Sequence, residues 1–140
     1  MHAGTSVLAV VGSACMTMAL VLAWCLAAVR SSRFVKRCIP NTQYLLKAHL
    51  DFLMMTGLLF VFYLVFEHLG LTPPAAVVVA MSVGSLGNPS GFLALALKPD
   101  LRQTPASPFG AVMVLSFTAT TIGYGGAAYY VAHAVIHAAG

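Results

Sequence analysis

Charged residues are scarce in this sequence. Asp and Glu together number 3 and Lys and Arg number 7 among 140 residues, or 7% charged, whereas soluble domains carry about 25%. So few charges cannot cover the surface of a folded chain of this size, which excludes a water-soluble monomer. The hydrophobic share of 60% also excludes a disordered chain, because such chains are poor in apolar residues.

Cysteines and recognisable catalytic motifs are also few. Cys15, Cys25 and Cys38 are odd in number and unevenly spaced, which excludes a disulfide scaffold. The sequence contains no CxxC, HExxH, phosphate-binding glycine loop or Ser-His-Asp pattern. Four of the seven basic residues lie between Arg30 and Arg37, as in a loop between membrane spans, so we expect no nucleic-acid partner. These absences leave a small integral membrane protein.

Long apolar stretches occupy almost the whole chain. They cover about 5–29, 44–66, 73–97 and 108–137, and each reaches the roughly 20 residues that a membrane-spanning helix needs. None alternates with the period of a strand, so these are helices and not barrel strands. The sequence therefore predicts an all-α fold, with residues 1–140 forming a single transmembrane four-helix bundle.

The basic residues predict an orientation in the membrane. They follow the first predicted span, at Arg30, Arg33, Lys36 and Arg37, and the third, at Lys98 and Arg102. Because positive loops favour the cytoplasmic side, we expect both of these loops inside and both termini outside. We expect a multi-pass protein of the inner (plasma) membrane.

The start of the second predicted span reads Lys47-Ala-His49-Leu-Asp51 and is unusually polar. Lys47 and Asp51 stand four residues apart and can pair along one helix face. His49 allows two interpretations. It is either an anchor at the water boundary beside a snorkelling Lys47, or a metal or haem ligand oriented by Asp51 or by a backbone carbonyl.

The third predicted span contains Gly87-Asn88-Pro89-Ser90-Gly91. Pro89 predicts a kink near Ser85, and Gly87 with Gly91 predicts a surface that another helix can approach closely. The amide of Asn88 needs partners in the membrane, either on a neighbouring helix or on a bound ligand.

Polar side chains from three spans are predicted to lie near the membrane midplane. With a rise of about 1.5 Å per residue, Thr56 and Asn88 are predicted to lie at the same depth in the membrane. His49 then lies on the cytoplasmic side of this level and Tyr124 on the outer side. The fourth span places three further polar residues at the same level, namely Thr118, Thr120 and Thr121. A four-helix bundle can enclose such a belt. We therefore take Asn88, Thr56 and Tyr124 as candidate catalytic residues.

A second histidine cluster is predicted at the outer side. His133 and His137 stand four residues apart and can chelate a metal, with Glu67, His68 and His2 on the same side. The alternative is that they are unpaired residues at the end of a terminal helix.

The segment Lys47-Ala-His49-Leu-Asp51, followed by a Gly57-containing apolar helix, resembles the styrene-oxide isomerase and hydroxylaminobenzene mutase group of small four-helix membrane isomerases. The resemblance implies a homotrimer in which His49, with Asp51 nearby, binds haem b. The ferric iron would act as a Lewis acid that opens a small lipophilic epoxide to an aldehyde. Asn88 and Phe92 would lie on the substrate side. The chain departs from that group at Thr56-Gly57, where the group has Asn-Gly one residue earlier, and at Phe92, where it has tyrosine.

Two other classes of protein fit part of the pattern. The chain is similar at the same residues to membrane-associated glutathione and eicosanoid enzymes, which carry Arg-Ala-His-x-Asn-x-x-Glu. Here Met54 replaces the acidic residue, and the later spans lack the arginines that would hold glutathione. A non-catalytic membrane subunit needs no site at all.

Overall fold

The computed structural model describes residues 3–138, and the side chains of residues 4–137. Its elements are α1 (Ala3–Ser31), α2 (Arg33–Cys38), α3 (Thr42–His68), α4 (Ala75–Leu97) and α5 (Pro108–Ala138). The described residues contain no strand, which confirms the all-α prediction. Among these described residues, four helices are long and apolar enough to cross a membrane, namely α1, α3, α4 and α5.

Local sequence signals position both ends of α3. Before the helix, the Asn41 side-chain oxygen accepts a hydrogen bond from the Tyr44 N–H at 3.2 Å, which caps the first turn. After it, Gly70 adopts a φ of 63°, and the Leu71 N–H donates to the Phe66 carbonyl at 2.8 Å. This is the glycine-terminated turn that ends many helices, because glycine has no Cβ to hinder a positive φ.

The short helix α2 was not expected, since the sequence indicated only a basic loop there. The Ser32 hydroxyl accepts from the Val35 N–H at 3.4 Å and begins the helix, which has six residues. A segment this short cannot display a helical hydrophobic period. The serine before it was the one sequence signal for a helix start.

Hydrogen bonds at both ends show that neighbouring spans run in opposite directions. At one end, the Asn41 N–H donates to the Ala96 carbonyl at 3.3 Å. At the other, the Thr5 hydroxyl donates to the Glu67 carboxylate. The loops after the first and third spans therefore share one end of the bundle, as predicted. We call it the basic end, because Arg30, Arg33, Lys36, Arg37, Lys98 and Arg102 lie there. That it faces the cytoplasm stays a prediction.

The spanning helices pack mainly in two pairs. α1 lies against α3 and α5 against α4, while α3 and α4 join the two pairs. The core is mainly apolar, with Phe52 and Phe66 fully buried, but it also holds polar side chains such as Ser85. Many other large apolar side chains face outward, with Trp24 79% and Tyr129 71% exposed. An apolar exterior around a partly polar interior is what a lipid environment favours, and it is consistent with a multi-pass membrane protein.

Candidate functional site

His49 lies at the interface between α1 and α3 and is held by a backbone group. Its Nδ1 lies 2.9 Å from the carbonyl oxygen of Ala19 in α1. Because a carbonyl can only accept, Nδ1 carries the proton. The neutral ring then has its free lone pair on Nε2, where a metal would bind.

The surroundings of His49 are apolar and partly open to the outside of the bundle. The imidazole is half-buried. Leu46 and Leu53, three residues before it and four after it on the same helix face, are 46% and 38% exposed. Leu20, next to Ala19, is 57% exposed. His49 therefore lies within an apolar surface on the outside of the bundle.

Lys47 and Asp51 do not form the ion pair that their spacing allows. The Lys47 ammonium lies over the Tyr44 ring, 5.1 Å from its centroid, and no salt bridge joins it to Asp51 in the described part of the chain. The Ala19 carbonyl makes the hydrogen bond that orients His49, and Asp51 does not. The assignment of Asp51 to cofactor binding stays a prediction.

Thr56 belongs to the same interface as His49. It lies two helical turns further along α3, and its hydroxyl donates to the Phe52 carbonyl at 2.8 Å, with the Gly12 carbonyl of α1 at 3.4 Å. Thr56 is 2% exposed. The structure therefore brings His49 and Thr56 to one face of α3, with the Thr56 hydroxyl bound to backbone.

Pro89 organises a set of polar contacts that the sequence did not reveal. It lies inside α4, which continues through it, and it leaves the Ser85 carbonyl without its intrahelical donor. The Cys15 thiol of α1 donates to that carbonyl at 3.8 Å. The Ser85 hydroxyl lies 2.7 Å from the hydroxyl of Tyr124 in α5. Ser85 could have been found from the sequence, because it lies four residues before Pro89 and its carbonyl loses the donor there. Nothing in the sequence around Cys15 indicates that its thiol contacts that carbonyl.

Asn88 joins α4 to α5 through both ends of its amide. Its nitrogen donates to the Thr120 hydroxyl at 2.9 Å, and its oxygen accepts from the Ser116 hydroxyl at 2.8 Å. The contact with Thr120 shows that the two residues lie at one level along the bundle. Thr118 and Thr121 instead face outward and bond to carbonyls of their own helix. The amide therefore has a structural role, and its contact with substrate stays a prediction.

Glycines allow α4 and α5 to approach closely, as Gly87 and Gly91 predicted. A Cβ at Gly84 would lie 2.7 Å from the Thr120 Cα, and a Cβ at Gly123 would lie 2.8 Å from the Met81 Cα. The helix that fills this surface is α5 of the same chain. The surface is therefore not available as the contact between subunits.

The candidate residues are divided between two interfaces. His49 and Thr56 lie between α1 and α3, whereas Asn88 and Tyr124 lie on the facing sides of α4 and α5. Within residues 3–138, no hydrogen bond or ring contact joins the first pair to the second. The two pairs are not isolated from each other, because the Tyr124 ring lies 5.8 Å from the Phe62 ring of α3.

The outer histidines lie close together but belong to no larger group of potential metal ligands within the described residues. The rings of His133 and His137 lie 4.3 Å apart between centroids on the exposed side of α5. Glu67 is engaged with Thr5, and His2 lies outside the described residues. No group of three or more His, Cys, Asp or Glu residues that could hold a metal occurs in the part of the chain that the structure describes.

The fold defines a class of protein: a small all-helical chain with four helices able to span a membrane. Comparison with family models, curated proteins and solved structures finds no match to this chain.

Proposed function

We propose that this protein is a membrane-embedded isomerase of the inner (plasma) membrane that acts on a small lipophilic epoxide as a homotrimer, and that His49 would hold the iron of haem b. The observation that supports the proposal is the hydrogen bond from His49 Nδ1 to the Ala19 carbonyl, 2.9 Å long. A ligating histidine commonly donates its second N–H to a carbonyl or carboxylate, which fixes both the tautomer and the ring orientation.

The residues around His49 fit a haem. Nε2 supplies the nitrogen donor, and the exposed side chains of Leu20 and Leu53 supply the apolar contacts that a porphyrin face requires. When bound, a ferric haem would provide Lewis-acid polarisation of the substrate C–O bond without net oxidation or reduction. The described spans hold only two carboxyl groups, Asp51 and Glu67, so chemistry that needs no positioned carboxylic acid suits this chain.

The remaining residues would bind substrate and exclude water. A lipophilic substrate reaches the apolar face of α1 and α3 directly from the bilayer. Apolar walls keep water away from the reacting carbon, so that rearrangement is favoured over hydration. We assign Asn88, Thr56 and Tyr124 to the substrate side.

The proposal is tested by turnover of styrene oxide to its aldehyde by the detergent-purified full chain. We expect His49→Ala to lose both bound haem and turnover. The matched control is His68→Ala, at the opposite end of α3, which should keep both. If His49→Ala retained turnover at the level of the control, the assignment of His49 would be wrong. If the wild-type chain bound haem but did not isomerise epoxides, the proposed cofactor would be supported and the proposed reaction would be contradicted.

The alternative of a glutathione-dependent transferase has less support. Neither α4 nor α5 contains a lysine or arginine, so the two carboxylates of glutathione would find no cation there. Met54, at the position of the expected acidic residue, is 55% exposed on the apolar exterior. A preparation with neither haem nor turnover would favour a non-catalytic membrane subunit.

A further inference from the structure

A cleft of about 1020 Å³ opens at the basic end of the bundle. It lies between the last turns of α1, the start of α2 and the first turns of α3. Three cationic side chains line it, namely Arg30, Arg33 and Lys36. The lining also includes the polar side chains of Thr42 and Gln43 and the apolar side chain of Leu46. The cleft is separate from the interface that holds Asn88 and Tyr124.

The charge of the cleft is entirely positive. Three of the seven basic residues line it, and none of the three acidic residues of the sequence does. Lys36, Arg33 and Arg30 are all exposed, so their charged groups can reach a ligand in the opening. An anion with several oxygen acceptors would satisfy guanidinium and ammonium donors together.

Polar donors of α3 lie beside these cations. The side chains of Thr42 and Gln43 are exposed and make no hydrogen bond to other described residues. They belong to the first turn of α3, where the helix dipole also favours negative charge. The cleft therefore combines charge with uncommitted hydrogen-bond donors.

Two aromatic residues indicate the depth of the cleft in the membrane. Trp24 on α1 and Phe34 on α2 are 79% and 76% exposed, and they lie on either side of Arg30 along the chain. An exposed tryptophan is typical of the headgroup region, and a phenylalanine on a short basic helix is typical of interfacial helices. The apolar lining of the cleft, at Leu26 and Leu46, continues from there toward the hydrocarbon core.

We propose that this cleft binds the phosphate of an anionic phospholipid, with Arg30, Arg33 and Lys36 around the headgroup and an acyl chain along Leu26 and Leu46. Phosphate is the shared chemistry of a lipid headgroup and a free phosphorylated solute. The lipid is favoured because the basic and apolar parts of the lining adjoin at headgroup depth. Basic pockets between spans commonly bind such headgroups.

The test is native mass spectrometry of the detergent-purified full chain, titrated with phosphatidylglycerol or with phosphatidylcholine. Each removed cation should weaken phosphatidylglycerol binding about five-fold. The triple variant Arg30→Gln/Arg33→Gln/Lys36→Gln should therefore lose it roughly a hundred-fold. The matched control is Arg37→Gln/Lys98→Gln/Arg102→Gln, which removes the same charge from the same end, outside the cleft, and should bind nearly as the wild type does.

Three results would overturn the proposal. Equal binding of the two lipids would show that the cleft does not select an anionic headgroup. Equal losses in the two triple variants would show attraction by net charge alone. Inorganic phosphate that bound the cleft while phosphatidylglycerol did not would identify a soluble ligand. Because the triple variant could misfold, Arg33→Gln alone is measured as well, and it should weaken phosphatidylglycerol binding about five-fold.

Discussion

The α1–α3 and α4–α5 interfaces differ in the residues that form them. Between α4 and α5, glycines bring the backbones together, and the amide of Asn88 is bonded at both ends to Ser116 and Thr120. Between α1 and α3, the imidazole of His49 is bonded at Nδ1 only and lies in a partly open apolar surface. One interface is closed and internally satisfied, whereas the other presents a potential ligand atom.

This difference separates residues that hold the bundle together from residues that can react. A polar group that is satisfied inside a membrane protein stabilises a helix pair. A polar group with one atom still available is a candidate for function. The comparison predicts that changes between α4 and α5 act mainly on stability, and that changes at His49 act on ligand binding.

The largest loss of stability is expected at the closest approach of α5 to α4. Gly123→Ala places a Cβ against the Met81 backbone and should destabilise the fold by about 3 kcal/mol, because the backbone cannot move aside as a side chain can. Gly125→Ala is the matched control, since its Cβ would meet nothing within 4 Å. Unfolding in mixed detergent micelles, followed by circular dichroism, measures both. Equal stability of the two variants would contradict the close packing of α4 and α5.

A smaller loss is expected when the amide between α4 and α5 is removed. Asn88→Leu leaves the Ser116 hydroxyl without its acceptor and removes the donor to Thr120, whose hydroxyl still donates to the Ser116 carbonyl. The change should cost about 1–2 kcal/mol. The control is Ser90→Leu, because Ser90 is exposed and bonds only to its own helix. The same unfolding measurement applies. Unchanged stability combined with lost turnover would show that the amide serves the substrate rather than the helix pair.

The sequence correctly predicted the positions of the spans and the close helix contact made by α4. Composition and length alone indicated α3 within two residues at each end, and Gly87 with Gly91 indicated a close helix contact. These features are local, since a span is defined by its own apolar run and small residues mark a packing surface. The sequence did not indicate which helix fills that surface.

Contacts between distant residues could not be predicted from the sequence. Cys15 and Ser85 are 70 residues apart, and nothing near Cys15 indicates that it faces the carbonyl freed by Pro89. Likewise, the sequence predicted Thr56 and Asn88 at the same depth in the membrane. In the structure they point into different helix interfaces, Thr56 toward α1 and Asn88 toward α5. Rotation about a helix axis is decided by packing, and the weak amphipathicity of membrane helices leaves it undetermined.

The smallest expected effect concerns the thiol at that freed carbonyl. Cys15→Ala should cost about 1 kcal/mol in the wild-type chain, since it removes the hydrogen bond to Ser85 and some packing. In a Pro89→Ala background, the restored N–H bonds to the Ser85 carbonyl, and the cost should fall by about 0.5 kcal/mol. Cys25→Ala, on the same helix, serves as control. An identical cost of Cys15→Ala in both backgrounds would show that the thiol contributes packing alone.

The central claim is that the available nitrogen of His49 binds haem iron. The most direct measurement is the absorption spectrum of the full chain purified in mild detergent, with haem quantified per chain, for the wild type, His49→Ala and the control His133→Ala. We predict a Soret band in the wild type and in the control, and its loss in His49→Ala. A colourless wild-type preparation with full isomerase activity, or a Soret band that persists in His49→Ala, would contradict the claim.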